Sequence, residues 1–189
     1  MNLDKYHNRK VVVVNDNDEE KGIASLIDAH RGMGMKHRAF SLILYRRRED
    51  KIEVLLQKRS GMKPVFALKW ANACCYNMAP GEEYVNRARS RVREELGIDL
   101  EETKLEKLFK FSYFAEDREK KGWCENELDQ VIVGEWDGVV RPSLDEVEDY
   151  RWVEWEQLKK EIKNEESKFG PWWVEIVREG KLEQYFVGE

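Results

Sequence analysis

The sequence predicts a single domain of mixed α/β (α+β) class, in which a mixed β-sheet is flanked by helices. Three observations support this prediction. Short β-rich runs alternate with turn signals, one amphipathic helical pattern lies near the middle of the chain, and the C-terminal region has helical patterns. A length of 189 residues suits one hydrophobic core, so we expect one domain spanning residues 1–189.

The predicted strands are apolar runs bounded by turn residues. Residues 11–14 run into a turn at 15–18, and residues 32–35 have a loop composition. The apolar runs 39–45 and 52–57 are separated by charged residues, which predicts a hairpin with a charged tip. Further strands are predicted at residues 70–75, 105–114, 128–136 and 150–153.

The clearest helix is predicted at residues 82–96. Acidic residues begin it and Gly97 follows it, as expected for a helix start and a C-terminal cap. Its apolar residues recur at helical spacing and predict one buried face: Val85, Ala88, Val92 and Leu96. Residues 154–164 and 171–179 also have helical patterns, with Pro171 at a first-turn position.

The composition excludes several classes of protein. Apolar residues make up 41% of the chain and aromatic residues 11%, enough to form a core, so intrinsic disorder is not expected. No apolar run approaches the ~18 residues of a membrane span. The net charge of −5 argues against a dedicated nucleic-acid binder. An odd number of cysteines, 3, two of them adjacent, predicts reduced thiols and a cytoplasmic protein.

Acidic residues of the predicted central helix suggest a magnesium site. A carboxylate on a helix that follows a loop can hold Mg²⁺ together with phosphate oxygens, although a charged solvent face is the commoner explanation of such spacing. The pattern partly resembles the Nudix box, which it matches at Glu82, Glu94, Glu95, Gly97 and Ile98. It departs from that box at Tyr76, Ser90 and Arg91.

A second set of motifs follows in order along residues 22–173. It consists of His30 and His37, Trp70-Ala71-Asn72-Ala73-Cys74-Cys75, Gly81-Glu82, Glu95-Leu96-Gly97, Glu125-Asn126-Glu127, Asp145-Glu146-Val147 with Trp152, and Pro171-Trp172. In this order the motifs resemble type 1 isopentenyl diphosphate isomerase, a family with the Nudix fold. The resemblance implies that the central helix holds a diphosphate and does not cleave it.

The resemblance also implies roles for particular residues. Cys75 and Glu127 would exchange protons with a homoallylic substrate, and the ring of Trp172 would stabilise a carbocation-like state. Substrate would be bound by Arg59, Lys63, Arg91 and Tyr113. Metal would be bound by His30, His37, Asn77, Glu95, Glu125 and Glu127. The implied cofactors are Mg²⁺ on the diphosphate, at Glu95, and a second divalent ion that is Mn²⁺, Zn²⁺ or Fe²⁺.

Three positions depart from the family pattern. Asn77 stands at a histidine ligand position, which leaves open weak binding of Mg²⁺ or Mn²⁺, or no site at all. Leu26 stands where the family carries a lysine for the diphosphate, with Lys21 or Lys36 as possible substitutes. Tyr76 replaces a glycine and adds bulk beside Cys75. The third histidine, His7, precedes the matched region.

Three functions remain open from the sequence. The first is the isomerase, a monomer or weak dimer that acts on a small-molecule diphosphate without nucleic-acid or membrane partners. The second is a Nudix hydrolase of another diphosphate, which needs Glu82, Glu94 and Glu95 and can dispense with Cys75. The third is a non-catalytic relative that lost its metal site. Taken singly, the same side chains have ordinary structural explanations, and Cys74 is as good a candidate as Cys75 for the accessible thiol.

Overall fold

The computed structural model describes Tyr6 and residues 8–188, which form a nine-stranded sheet with helices on both faces. Within this part of the chain, no helix combines the length and the apolar character needed to cross a bilayer. His7 lies outside the described residues. The predicted fold class, a mixed sheet flanked by helices, is confirmed.

The bounds of the elements are as follows. The strands are β1 (Lys10–Val14), β2 (Glu20–Ser25), β3 (His37–Arg48), β4 (Lys51–Arg59), β5 (Trp70–Ala71), β6 (Cys74–Asn77), β7 (Glu106–Glu116), β8 (Cys124–Glu135) and β9 (Val147–Glu154). The helices are α1 (Leu26–Ala29), α2 (Tyr84–Leu96), α3 (Trp155–Glu165), α4 (Pro171–Arg178) and α5 (Lys181–Gly188). A 3₁₀ turn, Glu166–Lys168, joins α3 to α4.

Some predicted boundaries differ from the structure. The hairpin of β3 and β4 turns at residues 49–50, so most of the predicted charged tip belongs to the strands. Arg46 lies opposite Glu53 in this pair and forms a 2.6 Å ion pair with it, which favours strand pairing. The single strand predicted at 70–75 is wrong, because β5 and β6 are separate strands with different partners.

Strand β3 is the centre of the sheet and determines where the functional side chains point. It pairs in parallel with β8 and antiparallel with β1, β4 and β6. Ser41 lies opposite Cys75, and His37 lies opposite Glu127. Because side chains alternate along a strand, these residues share one face of the sheet, whereas Cys74 points to the other.

Each face of the sheet is covered by its own apolar cluster. The first face packs against α2 through Ala88, Val92 and Leu96, with Phe40 and Leu42 from β3. The second face packs against the C-terminal helices through the largest side chains of the protein, which include Trp155, Phe169, Trp172, Trp173 and Phe186. The C-terminal helices therefore cover the face of β3 that carries Ser41 and His37.

Helix α2 ends at Gly97, as predicted, through a left-handed cap. Gly97 has φ of 63°, and its N–H donates to the carbonyl of Arg93. The N–H of Arg141 donates to the carbonyl of Leu96 at 2.8 Å. A Cβ atom at position 97 would lie 2.7 Å from the carbonyl oxygen of Arg141. Only glycine therefore allows both the cap and this close approach.

Gly97→Ala is expected to lower the free energy of unfolding by about 2–4 kcal/mol, because left-handed strain and a backbone clash add together. Gly81→Ala is the matched control: its φ is 79°, but a Cβ atom there has nothing within 4 Å. The control should lose only about 1 kcal/mol. Urea unfolding of both variants measures the difference, and equal losses would contradict the role given to Arg141.

Candidate active site

One cavity collects most of the residues that the sequence analysis predicted for the site. Those that line it are His30, Arg59, Lys63, Cys75, Asn77, Arg91, Tyr113, Glu125, Glu127 and Trp172. The two other predicted residues, His37 and Glu95, are buried and make direct contacts with members of this set. Strands β6 and β8 flank β3, so Cys75 and Glu127 reach the cavity from opposite sides of that strand.

Cys75, and not Cys74, offers its thiol to the cavity. Cys74 is fully buried in the cluster beneath α2, and Cys124 is buried as well. The Cys75 thiol donates to Oδ1 of Asn72 at 3.1 Å and lies 3.5 Å from the hydroxyl of Ser41. Burial, together with the nearby Asp129, raises the pKa of Cys75. The thiol therefore carries its proton at neutral pH.

Asn72 connects the thiol to the C-terminal helix. Its Oδ1 also accepts a 3.0 Å hydrogen bond from the indole N–H of Trp172. Its amide nitrogen donates to the carbonyls of Leu42 and Cys74, so the orientation of the amide is determined. The guanidinium of Arg59 lies 5.1 Å from the centre of the Trp172 ring. One cation thus already faces this indole.

Tyr113 lies between two buried glutamates. Its hydroxyl oxygen is 2.8 Å from Glu125 and 2.6 Å from Glu127. Burial and the neighbouring Glu127 raise the pKa of Glu125. Burial has the same effect on Glu127, but the adjacent His37 and the hydroxyl of Tyr113 outweigh it and lower the pKa of Glu127. Since one hydroxyl has a single proton to donate, a protonated Glu125 beside an ionised Glu127 satisfies all three groups.

His30, His37 and Glu127 form a set that could hold a metal ion, because one ligand atom from each lies within 4.8 Å of the others. Nδ1 of His30 donates to the carbonyl of Leu26, and Nδ1 of His37 donates to the carbonyl of Met35, both at 2.7 Å. In the neutral ring, each Nε2 therefore carries a lone pair. Burial and the adjacent His37 lower the pKa of His30 to about 4, so it stays neutral as a metal ligand requires.

Asn77 lies against this set. Its amide nitrogen is 3.1 Å from Nε2 of His37 and 2.6 Å from a carboxylate oxygen of Glu127. Rotation of the amide by half a turn would present Oδ1 to the same place, which is the atom that a hard cation prefers. The donor set of two imidazoles, a carboxylate and an amide thus fits a divalent ion. Glu125 lies outside the triad and contacts it through Tyr113.

A cluster of four charged groups lies at another wall of the cavity. Glu95 is buried and accepts from Lys63 at 2.7 Å, Arg91 at 2.5 Å and Gln57 at 2.9 Å. Glu146 accepts from the same lysine and arginine, at 2.7 and 2.8 Å. Burial disfavours the charge on Glu95, but the two cations outweigh it and lower its pKa. Two positive charges and two negative charges thus balance in this cluster.

The other acidic residues of the Nudix-box pattern do not line this cavity. Glu94 forms ion pairs with Arg87 and Arg91 on the helix surface. Glu82 accepts a 2.7 Å hydrogen bond from the N–H of Ala79 in the turn before α2. Of the three, Glu95 is the buried one that accepts from both Lys63 and Arg91, whereas Glu94 contacts Arg91 from the helix surface.

Several residues at the site were missed by the sequence analysis. Asp129, on β8, lines the cavity with one carboxylate oxygen accepting from Ser41, and burial raises its pKa. Arg9 lines the cavity from the residue directly before β1, and Glu146, directly before β9, accepts a hydrogen bond from Lys63. Only their position relative to predicted motifs could have indicated them: Asp129 follows Glu127 by two residues on the same strand face.

Comparisons with known proteins place this chain in a family. The NUDIX domain model matches residues 35–173. Isopentenyl-diphosphate Delta-isomerase of Nocardia farcinica is 35% identical over 88% of this chain and 91% of its own length. Isopentenyl-diphosphate Delta-isomerase 1 of Aromatoleum aromaticum is 37% identical over 88% of both chains. The chain belongs to the Nudix family and, within it, to the isopentenyl-diphosphate Delta-isomerases.

Solved structures support the same fold. DR0079 from Deinococcus radiodurans superposes with a TM-score of 0.71 over 90% of this chain and 98% of its own, at 20% identity. A C. elegans Ap4A hydrolase complex superposes with a TM-score of 0.58 over 80% of this chain and 98% of its own, at 22% identity. The fold is thus that of Nudix proteins.

We expect Cys75 to be the first cysteine of the folded protein to react with iodoacetamide, but more slowly than in unfolded chain. The raised pKa means a smaller thiolate fraction at any given pH, about tenfold smaller for each unit of increase. The labelling rate of Cys75 should therefore keep rising with pH above about 8.5, the ordinary pKa of a cysteine thiol. Mass spectrometry of peptides, with urea-unfolded protein as control, measures each site. Faster labelling of Cys74 would contradict the assignment.

Proposed function

We propose that this chain interconverts isopentenyl diphosphate and dimethylallyl diphosphate by proton transfer at Cys75 and Glu127. The observation that carries the proposal is the composition of one cavity: a protonated thiol, an ionised carboxylate and an indole ring lie together with arginine and lysine side chains. The isomerases that this chain resembles over most of its length support the choice of substrate.

The proposed reaction adds one proton and removes another. A proton adds to the terminal methylene carbon of the substrate, which leaves positive charge on the neighbouring tertiary carbon. Loss of a proton from the carbon on the other side forms the new double bond. Cys75 and Glu127 exchange these protons with the substrate, and which acts first depends on the direction of reaction. The indole face of Trp172 stabilises the positive charge without a nucleophile that could trap it.

The hydrogen bonds of this chain keep both proton carriers in the required state. Asn72 orients the Cys75 thiol and the Trp172 ring through the same oxygen atom. Tyr113 connects Glu125 to Glu127 by hydrogen bonds, so a proton can move along this chain to or from the Glu127 carboxylate. The substrate diphosphate is bound by Arg59, Lys63 and Arg91 at the cavity wall.

We propose two divalent ions. The first would be held by His30, His37 and Glu127, with Asn77 and Glu125 beside them. The amide oxygen of Asn77 suits Mg²⁺ or Mn²⁺ and disfavours Zn²⁺ and Fe²⁺. Glu95 holds Mg²⁺ on the diphosphate. At the first site a divalent ion would supply positive charge beside Glu127, which would favour the ionised form of that carboxylate.

We also propose a cytoplasmic protein that acts as a monomer or weak dimer, with no nucleic-acid or membrane partner. The free state of Cys74, Cys75 and Cys124 supports the compartment. The net charge of −5 argues against a nucleic-acid partner.

Cys75→Ala and Glu127→Gln are each expected to lower the rate of isomerisation by at least about 10²-fold, because each removes a proton carrier. NMR of isopentenyl diphosphate incubated with enzyme and Mg²⁺ or Mn²⁺ measures the dimethylallyl product. Cys74→Ala is the matched control, since it removes the adjacent thiol that faces the core, and should keep most activity. Full activity of Cys75→Ala would overturn the assignment. Phosphate release that is sensitive to Glu94→Gln, without isomerisation, would instead favour the hydrolase.

Purified protein dialysed against Mn²⁺ and then metal-free buffer is expected to retain about one ion per chain at the imidazole set. His30→Ala should lose this ion, and Asn77→His should hold Mn²⁺ or Zn²⁺ more tightly because imidazole is the better ligand. Elemental analysis measures the content. Equal metal content in wild-type protein and His30→Ala would argue against this site and in favour of a relative that lost its metal.

A further inference from the structure

Arg9 brings a guanidinium into the candidate active site from a part of the chain with no assigned role. It directly precedes β1 and lines the same cavity as Cys75 and Trp172. Its carbonyl accepts a 2.8 Å hydrogen bond from the N–H of Leu26, which also lines the cavity. The Arg9 and Leu26 positions are therefore direct neighbours at this wall.

The Arg9 guanidinium has no carboxylate partner within residues 6 and 8–188. Its surroundings include the rings of Tyr76 and Tyr6 and two further guanidinium groups, those of Arg87 and Arg91. Burial and the nearby Arg91 lower its pKa, which means that the site disfavours the positive charge that Arg9 carries. A half-buried cation among like charges costs free energy unless an anion binds beside it.

The other cations of the cavity differ in whether a carboxylate pairs with them. Lys63 and Arg91 are matched by the carboxylates of Glu95 and Glu146. Arg59 donates to the carbonyls of Phe66 and Val65 and forms no ion pair among the described residues. Within the described part of the chain, the positive charge at this cavity that no carboxylate matches therefore belongs to Arg9 and Arg59. Two such guanidinium groups suit a ligand group with several negative oxygen atoms, such as a diphosphate.

Tyr76 holds Arg9 in position. The Arg9 guanidinium lies 4.5 Å from the centre of the Tyr76 ring, and that of Arg87 lies 4.1 Å from it. A planar guanidinium stacked on a ring has lost part of its rotational freedom before any ligand binds, so it can bind an anion at a lower entropic cost. The ring that Tyr76 places beside Cys75 thus also provides the surface on which the Arg9 guanidinium stacks.

The two lysines considered as substitutes for a cation at position 26 lie elsewhere. Lys21 forms an exposed ion pair with Glu19, and Lys36 forms one with Asp16. Neither lines the cavity. Of Lys21, Lys36 and Arg9, Arg9 is the one that lines the cavity, and it has no carboxylate partner in the described part of the chain.

We propose that Arg9, held against Tyr76, binds the diphosphate group of the substrate and supplies the cation that Leu26 cannot. This inference rests on the proposed function for the organic part of the substrate, but the diphosphate contact can be tested without it. Arg9 and Tyr76 then act as one unit, in which the ring positions the guanidinium and the guanidinium contacts the ligand.

The test is calorimetric binding of inorganic pyrophosphate with Mg²⁺ to wild-type protein and to Arg9→Met. Loss of one charge-assisted contact should weaken binding about 10-fold or more. Lys10→Met is the matched control: it removes the same charge from the next residue, which is exposed on β1. The control should bind as wild type does. Equal affinities for Arg9→Met and Lys10→Met would overturn the proposal.

Two further variants separate binding by Arg9 from a structural role. Arg9→Met with Leu26→Lys should recover most of the lost affinity, because the new cation enters at the neighbouring position of the same wall. Tyr76→Leu should weaken pyrophosphate binding as Arg9→Met does, whereas Tyr76→Phe, which keeps the ring, should not. The thermal unfolding midpoint of each variant is measured as well. If pyrophosphate affinity falls in step with that midpoint, whether or not a cation is present, Arg9 is a packing residue only.

The outcome for Arg9 is independent of the outcome for the isomerase. If wild-type protein binds pyrophosphate through Arg9 but forms no dimethylallyl product, the proposed function fails and the diphosphate contact stands. If wild-type protein isomerises its substrate and Arg9→Met leaves both the KM and pyrophosphate affinity unchanged, the proposed function stands and the Arg9 contact fails.

Discussion

The matching of buried carboxylates by neighbouring cations and hydrogen bonds is the constraint on which this structure depends. Glu95, Glu125, Glu127 and Asp129 are each at most 5% exposed. An ionised carboxylate so placed is unstable unless it is paired, and each of these has a different solution. Glu95 has Lys63 and Arg91, Glu127 has His37 and Tyr113, and the others have raised pKa values. The positions of most groups around the cavity follow from these pairings.

The register of β3 explains how so many polar groups can lie together inside an apolar fold. Because β6 and β8 pair with opposite edges of β3, one face of three adjacent strands carries His37, Ser41, Cys75 and Glu127. The other face of the same strands carries Phe40, Leu42 and Cys74 against α2. A shift of one residue in β6 would exchange the two cysteines and bury the wrong one. The polar site and the apolar core are therefore two results of a single alternation.

The sequence was sufficient for elements with strong local patterns. The period of Ala88, Val92 and Leu96 and the glycine after them determined α2 almost to its ends. Strand β2 was missed because Glu20–Ser25 is polar and largely exposed, and α1 because four residues are too few to show a period. At the site, motif order pointed to Cys75 and Glu127, but Arg9 and Asp129 depend on tertiary contacts that no local pattern encodes.

The hydrogen bonds of Asn72 have a consequence for the order in which this protein matures. The amide joins the thiol strand to Trp172, which is 100 residues further along the chain. During synthesis the sheet residues leave the ribosome well before the helix that begins at Pro171. A nascent chain can therefore pair β3 with β6 and β8 while its thiol still lacks the indole beside it. Under the proposed function, competence for chemistry is therefore acquired late, when the C-terminal helix docks.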